Sequence, residues 1–263
     1  MIPDFAKATM GKQDLGFKNS KIKFVFFGSS RFSEFVLEEL EQAGFFPTLK
    51  VIDAKASLPK LPEVDFFIVA SFGKILSKET LNIPKYSSLN VHPSLLPELR
   101  GPSPIQNLIL GRGEPGVTII KMDEKMDHGP ILAQEKVEIE PWLDHYATIE
   151  EKLAHAGGKL LVSTLSNLPN PIPQDDSRAT YTKMIRKEDG LLNLNDPAET
   201  NYRKVLAYNT WPGAYFFFKN KIGKDLRVIV KDAKVEDGKF VPTRIIPEGK
   251  REMDWQDYLR GNS

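Results

Sequence analysis

The chain has 263 residues, 41% of them hydrophobic and 27% charged, with a formal net charge of +1 at pH 7. That composition belongs to a globular protein with room for a real core in one large or two modest domains, and the near-neutral total singles out no partner by charge. There is no cysteine, which excludes disulfides, thiolate nucleophiles and Cys-ligated zinc.

Residues 1–20 lack the apolar run of a secretory signal and read as a short extension. No stretch approaches the roughly 18 apolar residues of a membrane span, so the expectation is a cytoplasmic protein without membrane contact. Lys23-Phe24-Val25-Phe26-Phe27 then predicts a buried first strand ending at Gly28. From Ser30 to Gly44, Phe32, Phe35, Val36, Leu40 and Ala43 recur at helical spacing, with Ser30 as N-cap and Gly44 just past the end. Leu49 to Ile52 is a weak strand signal and Phe66 to Ala70 a strong one. Leu89-Asn90-Val91 reads as a further strand that stops where His92 begins. A short helix is expected from Ser103 to Leu110, a strand pair from Val117 to Met122 and from Ala133 to Ile139, and a long amphipathic helix from Thr148 to Leu168. Strands alternating with helices predict an α/β fold around an open sheet, with ligands at the carboxyl ends of strands.

Pro169 to Asp176 holds three prolines and two aspartates, so residues 169–182 read as a linker. Beyond it, strands are expected from Ala214 to Lys219, Asp225 to Lys231 and Lys239 to Ile246, and a last helical turn from Trp255 to Leu259. Residues 183–263 thus form a small β-rich, barrel-like domain. That region carries 16 Lys/Arg against 12 Asp/Glu, a balance of +4, and the remainder 20 against 23, a balance of −3.

The chemistry concentrates in a few words. Gly28-Ser29-Ser30 supplies one glycine of the three that a dinucleotide turn needs, which argues against NAD. Asn90 and His92 are two apart and face the same side of a strand. An amide donor and an imidazole so placed suit an oxyanion formed when an amine attacks a carbonyl carbon. Asp127, 35 residues beyond His92 in Met126-Asp127-His128-Gly129, would orient the imidazole and help remove the amine proton. Singly, such an Asn is commonly a turn residue, such a His a satisfied polar group and such an Asp a cap; the reading rests on the three together. Ser94-Leu95-Leu96-Pro97 reads either as an ordinary turn or as a stiff wall for a flat, partly apolar ligand. Residues 72–76 offer a second wall or plain core. His145 and His155 have no metal-ligand spacing.

N-x-H-x-S-L-L-P at Asn90 to Pro97, R-G-x-x-P-I-Q at Arg100 to Gln106 and G-V-T-I-x-x-M-D-x-x-M-D-x-G at Gly116 to Gly129 resemble the 10-formyltetrahydrofolate-dependent formyltransferases. The resemblance resumes at Thr180-Tyr181, at Asn209-Thr210-Trp211-Pro212 and from Pro247 to Gly261, words that favour the branch acting on methionyl-tRNA. It implies a Rossmann-like, mostly parallel catalytic domain over residues 21–168 and an OB-like C-terminal barrel that holds nucleic acid. It implies Asn90, His92 and Asp127 as the catalytic trio and Ser94, Leu95, Leu96 and Pro97 in the folate pocket. The co-substrate is then 10-formyltetrahydrofolate, with no metal, and the partner initiator methionyl-tRNA bound to a monomer. Lys219, Lys221, Lys224 and Arg227 are the implied phosphate contacts to test first. Three departures stand out. Only Asp53 to Val64 joins the second strand to the next, where the tRNA branch has a helix, a strand and a basic insertion. The C-terminal domain is short, and His128 replaces a small hydroxyl residue. The short connection keeps open an amino-sugar nucleotide as acceptor; a non-catalytic folate- or RNA-binding module is the rival from another class.

Overall fold

The computed structural model describes residues 22–140, 143–219 and 223–262; the expected extension at residues 1–20 and Lys221 lie outside them. The chain forms two compact units. One runs to Pro104 and takes in Gly113–Ile139 and Glu150–Thr182; the other comprises Ile105–Arg112, Glu140–Ile149 and Lys183–Ser263. The segment expected as a linker, up to Thr182, lies in the first unit. No helix among the described residues is long and apolar enough to cross a membrane.

The first unit is built on a six-stranded sheet. Its strands are β1 (Phe24–Phe27), β2 (Leu49–Val51), β3 (Phe66–Val69), β4 (Ser87–His92), β5 (Gly116–Lys121) and β6 (Ile131–Lys136), in the order β2-β1-β3-β4-β5-β6. β2, β1, β3 and β4 run parallel, while β5 and β6 pair antiparallel. This is the open α/β sheet that the alternation predicts. β1 and β3 are buried throughout, which is why they read as unbroken apolar runs. Phe27 packs edge-on against Phe67 and Phe72, at 5.2 and 5.4 Å between ring centroids.

Helix α1 (Arg31–Gln42) starts as expected. Ser30 Oγ accepts from the Ser33 N–H and Ser33 Oγ from the Ser30 N–H, which satisfies two orphan donors reciprocally. Two short helices follow, α2 (Lys78–Leu81) and α3 (Pro104–Ile109), and then the long α4 (Tyr146–Ser166). β4 continues one residue beyond the expected strand. His92 pairs with Thr118 of β5, and Pro93 then ends the ladder.

In the second unit, β7 (Ala214–Lys219), β8 (Asp225–Glu236), β9 (Lys239–Pro247) and β10 (Met253–Asp254) form an antiparallel sheet in the order β10-β9-β8-β7, with α5 (Ala198–Ala207) and α6 (Trp255–Asn262) beside it in sequence. Alternating positions Ala214, Phe216, Val228 and Val230 enter a core with Val205, Ile245 and Tyr258. β8 is longer than the sequence predicts. Its charged second half pairs with β9 across a register shift at Asp232, and Asp237 and Gly238, both at positive φ, close the hairpin, the conformation a two-residue primed turn demands. Helix α5 has no counterpart among the expected elements. Asn201, fully buried, occupies an inward position and donates to the Asn193 carbonyl, so a polar residue stands where an apolar signal would have been.

Candidate active site

Asn90 and His92 sit in the last turn of the pleat of β4, and their side chains meet the same carboxylate. Asn90 Nδ2 donates to Asp127 Oδ1 at 3.4 Å, and His92 Nδ1 lies 3.5 Å from that oxygen. Both residues are nearly buried, with 9% and 4% exposure. The other ring nitrogen of His92, Nε2, is 3.0 Å from the Leu99 carbonyl oxygen. A carbonyl only accepts, so Nε2 carries a proton and Nδ1 is the ring nitrogen that faces the Asp127 carboxylate.

Asp127 reaches this place through an unusual turn. Its φ is +51°, a left-handed backbone that non-glycine residues rarely adopt. Its second oxygen, Oδ2, accepts from the Gly101 N–H at 2.8 Å. Gly101 itself has φ +111°, and a Cβ there would lie 2.8 Å from the carbonyl and hydroxyl oxygens of Thr182. Two residues further on from Asp127, Gly129 runs so close under the Lys121 carbonyl that no side chain fits. The glycines of the R-G and M-D-x-G words are therefore steric requirements of the site.

The loop after β4 is tied inward. Ser94 Oγ donates to the Glu98 carbonyl (2.6 Å), Thr118 Oγ1 donates to the Ser94 carbonyl (2.6 Å) and accepts from the Leu96 N–H (3.2 Å), and Gln134 Nε2 donates to the Leu96 carbonyl (2.8 Å). Ser94, Leu96 and Pro97 are buried and Leu95 is half-buried. These polar groups stiffen the loop, and from Ser94 to Pro97 only Leu95 is half-buried rather than buried.

Arg100, only 1% exposed, spreads its guanidinium to Gln174 Oε1 (3.0 Å from Nε, 2.7 Å from Nη2) and to Asp176 Oδ1 (2.7 Å). The hydrogen bond from Arg100 holds the Asp176 carboxyl below its ordinary value, and the charges of Arg100 and His128 act in the same direction. His128 places Nδ1 2.6 Å from Asp123 and Nε2 3.4 Å from Asp176. A cavity of about 290 Å³ opens beside Gly101, Met126, His128 and Tyr181. Among the described residues, no three His, Cys, Asp or Glu side chains gather at metal-binding distance. Sequence reasoning singled out Asn90, His92 and Asp127, which the structure brings together. It missed Gln174, Thr118 and Gln134, single polar residues whose partners lie far along the chain.

A Rossmann-like sheet ending in an amide, an imidazole and a carboxylate, followed by a small antiparallel domain, defines a class. The chain belongs to the formyl transferase family, whose pattern matches residues 25–165, with the C-terminal domain of formyl transferases over residues 184–263. It is 38% identical over 241 residues to the methionyl-tRNA formyltransferase of Caldicellulosiruptor saccharolyticus, covering 82% of this chain and 74% of that one. It is 43% identical over 190 residues to that of Chloroflexus aurantiacus, covering 70% of this chain and 59% of that one. Among solved structures it superposes on the methionyl-tRNA formyltransferase of Clostridium thermocellum with a TM-score of 0.67 at 16% identity, over 89% of this chain and 99% of the other.

Proposed function

We propose that this protein transfers a formyl group from 10-formyltetrahydrofolate to the α-amine of methionyl-tRNA, with Asn90, His92 and Asp127 as its catalytic residues. The observation that carries the reading is the meeting of Asn90 Nδ2 and His92 Nδ1 at one carboxylate oxygen, at the carboxyl end of a central strand. The folate supplies the carbon that is transferred. Asn90 donates a hydrogen bond to the carbonyl oxygen as it gains charge, and His92, once protonated at Nδ1, donates a second. Asp127 stabilises the charged imidazole and takes the proton the amine loses as it bonds to the formyl carbon; the tetrahedral intermediate then collapses with breakage of the bond from that carbon to the folate nitrogen, which leaves with a proton. Contacts of 3.4 and 3.5 Å are long for hydrogen bonds, which leaves room for the groups to tighten around a substrate. Ser94 to Pro97 form a rigid edge of the donor site, with Leu95 against the ligand. The second unit holds the tRNA, with Arg227 among its cations.

The relatives at 38% and 43% identity bear the methionyl-tRNA name, which favours that acceptor over an amino-sugar nucleotide. Formylation assays run side by side on the two acceptors decide between them. In the same assay, Asn90→Ala, His92→Ala and Asp127→Ala are each expected to lose about 10²–10³-fold in kcat. Wild-type turnover in all three variants would refute the mechanism.

A further inference from the structure

Residues 172–182, proline-rich and linker-like in sequence, lie against both loops that hold the proposed catalytic groups. Ile172 exchanges two backbone hydrogen bonds with Ile131, both 2.8 Å. At the other end Tyr181 bridges Arg100: the Arg100 N–H donates to the Thr180 carbonyl (2.9 Å) and the Thr182 N–H to the Arg100 carbonyl (2.7 Å). Between these two anchors stands Gln174. Its amide Nε2 donates to the carbonyls of Asp127 (2.9 Å) and Gly129 (2.7 Å), while its Oε1 accepts twice from Arg100.

We propose that Gln174 is a positioning residue, a strut that sets Asp127 and His92 relative to each other; the inference rests on the catalytic reading given above. Asp127 holds a positive φ that its surroundings must enforce, and Gln174 grips the peptide carbonyls on either side of His128. Arg100 is the other end of the strut. Its preceding residue, Leu99, supplies the carbonyl that holds His92 Nε2, and its following residue, Gly101, supplies the N–H that holds Asp127 Oδ2. A buried guanidinium stays put only while its donors are satisfied, and two of its hydrogen bonds end on Gln174. Displacing Arg100 therefore moves the holders of both catalytic side chains at once. Misplacement by about 1 Å is enough to cost on the order of 10²-fold in rate.

The test is a double-mutant cycle on formylation of methionyl-tRNA by the full chain with 10-formyltetrahydrofolate, read by single-turnover kinetics with melting temperatures alongside. Gln174→Ala is expected to lower kcat about 10- to 100-fold while KM for both substrates stays near wild type. In the Asp127→Ala background it is expected to cost much less than it does alone, since only His92 is then left to misplace. Gln174→Glu keeps the acceptor for Arg100 and loses both N–H donors, so it is expected to be as slow as Gln174→Ala; if the alanine variant does not fold, the glutamate variant carries the cycle. Unchanged kcat in Gln174→Ala, losses that multiply in the double variant, or full activity in Gln174→Glu would each overturn the strut. Full activity of Asp127→Ala brings down the catalytic reading together with the strut. A dead Asp127→Ala with multiplying losses brings down the strut alone.

Discussion

In the first unit the non-glycine residues at positive φ among those described are Ser71, Leu99 and Asp127, all in loops that follow sheet strands; in the second the corresponding residue, Asp237, sits in a two-residue hairpin turn. The same backbone conformation serves two ends. At Asp237 and Gly238 it merely reverses the chain, with open space around Gly238. At Leu99 and Asp127 it aims a carbonyl at His92 and a carboxylate at Asn90 and His92. Most buried polar groups lie in the first unit too, Asn90, His92, Ser94, Arg100, Thr118 and Thr182 among them, while the second unit buries Asn107 and Asn201. In the second unit Phe217 is exposed and the half-buried Arg227 guanidinium lies 3.9 Å from the centre of the Tyr215 ring. Left-handed backbone thus gathers around the proposed catalytic site in one unit and serves a plain turn in the other.

Substitutions can break that contrast, and the largest effects lie in the cores. Phe67→Ala, at a fully buried position, is expected to cost about 3–5 kcal/mol in urea unfolding; a loss under about 1 kcal/mol would deny the packing described for β1 and β3. Next come the paired glycines. Gly238→Ala meets no neighbour and is expected to cost only about 1–2 kcal/mol of backbone strain with full activity. Gly101→Ala adds a collision with Thr182 and is expected to cost about 2–3 kcal/mol and most of the turnover as well. Equal behaviour of the two variants would erase the distinction between a turn and a site.

Arg227→Ala is expected to lower the salt dependence of tRNA binding by about one phosphate's worth. Filter binding at several salt concentrations measures this, and an unchanged slope would remove Arg227 from the proposed tRNA face. Smallest is the pH effect at Asp176. Its carboxyl is held low, chiefly by the hydrogen bond from Arg100. Its contribution to stability is therefore complete above the usual carboxylate range and vanishes as pH falls through the lowered value. Acid unfolding curves of the wild type and Asp176→Asn should differ at neutral pH and converge under strong acid; parallel curves would show that the pairing carries no stability.

What the sequence discloses follows from how local each signal is. Ser30 and Gly44 bracket α1 because caps act within a turn. β7 matches its expected bounds because its apolar, aromatic run from Ala214 to Phe218 is unbroken and Lys219 ends it. Asn90 and His92 could be paired because a strand's period is two, and Asp127 joined them by its chemistry and by the resemblance. β8 reads short in the sequence because Lys231, Asp232 and Lys234 look like a loop until β9 pairs with them, though the Asp-Gly pair is a usable hairpin signal. Gln174 left no local trace: its partners lie 45 to 74 residues away, and in sequence it is one glutamine among prolines.

The carbonyl of Leu99 has one more effect. A proton relay that enters an imidazole at one nitrogen and leaves by the other needs both ends open, and here the far end is stoppered. In the proposed reaction whatever His92 takes up at Nδ1 must depart by the way it came, so the ring works as a cul-de-sac and proton exchange with solvent is left to the carboxylate side.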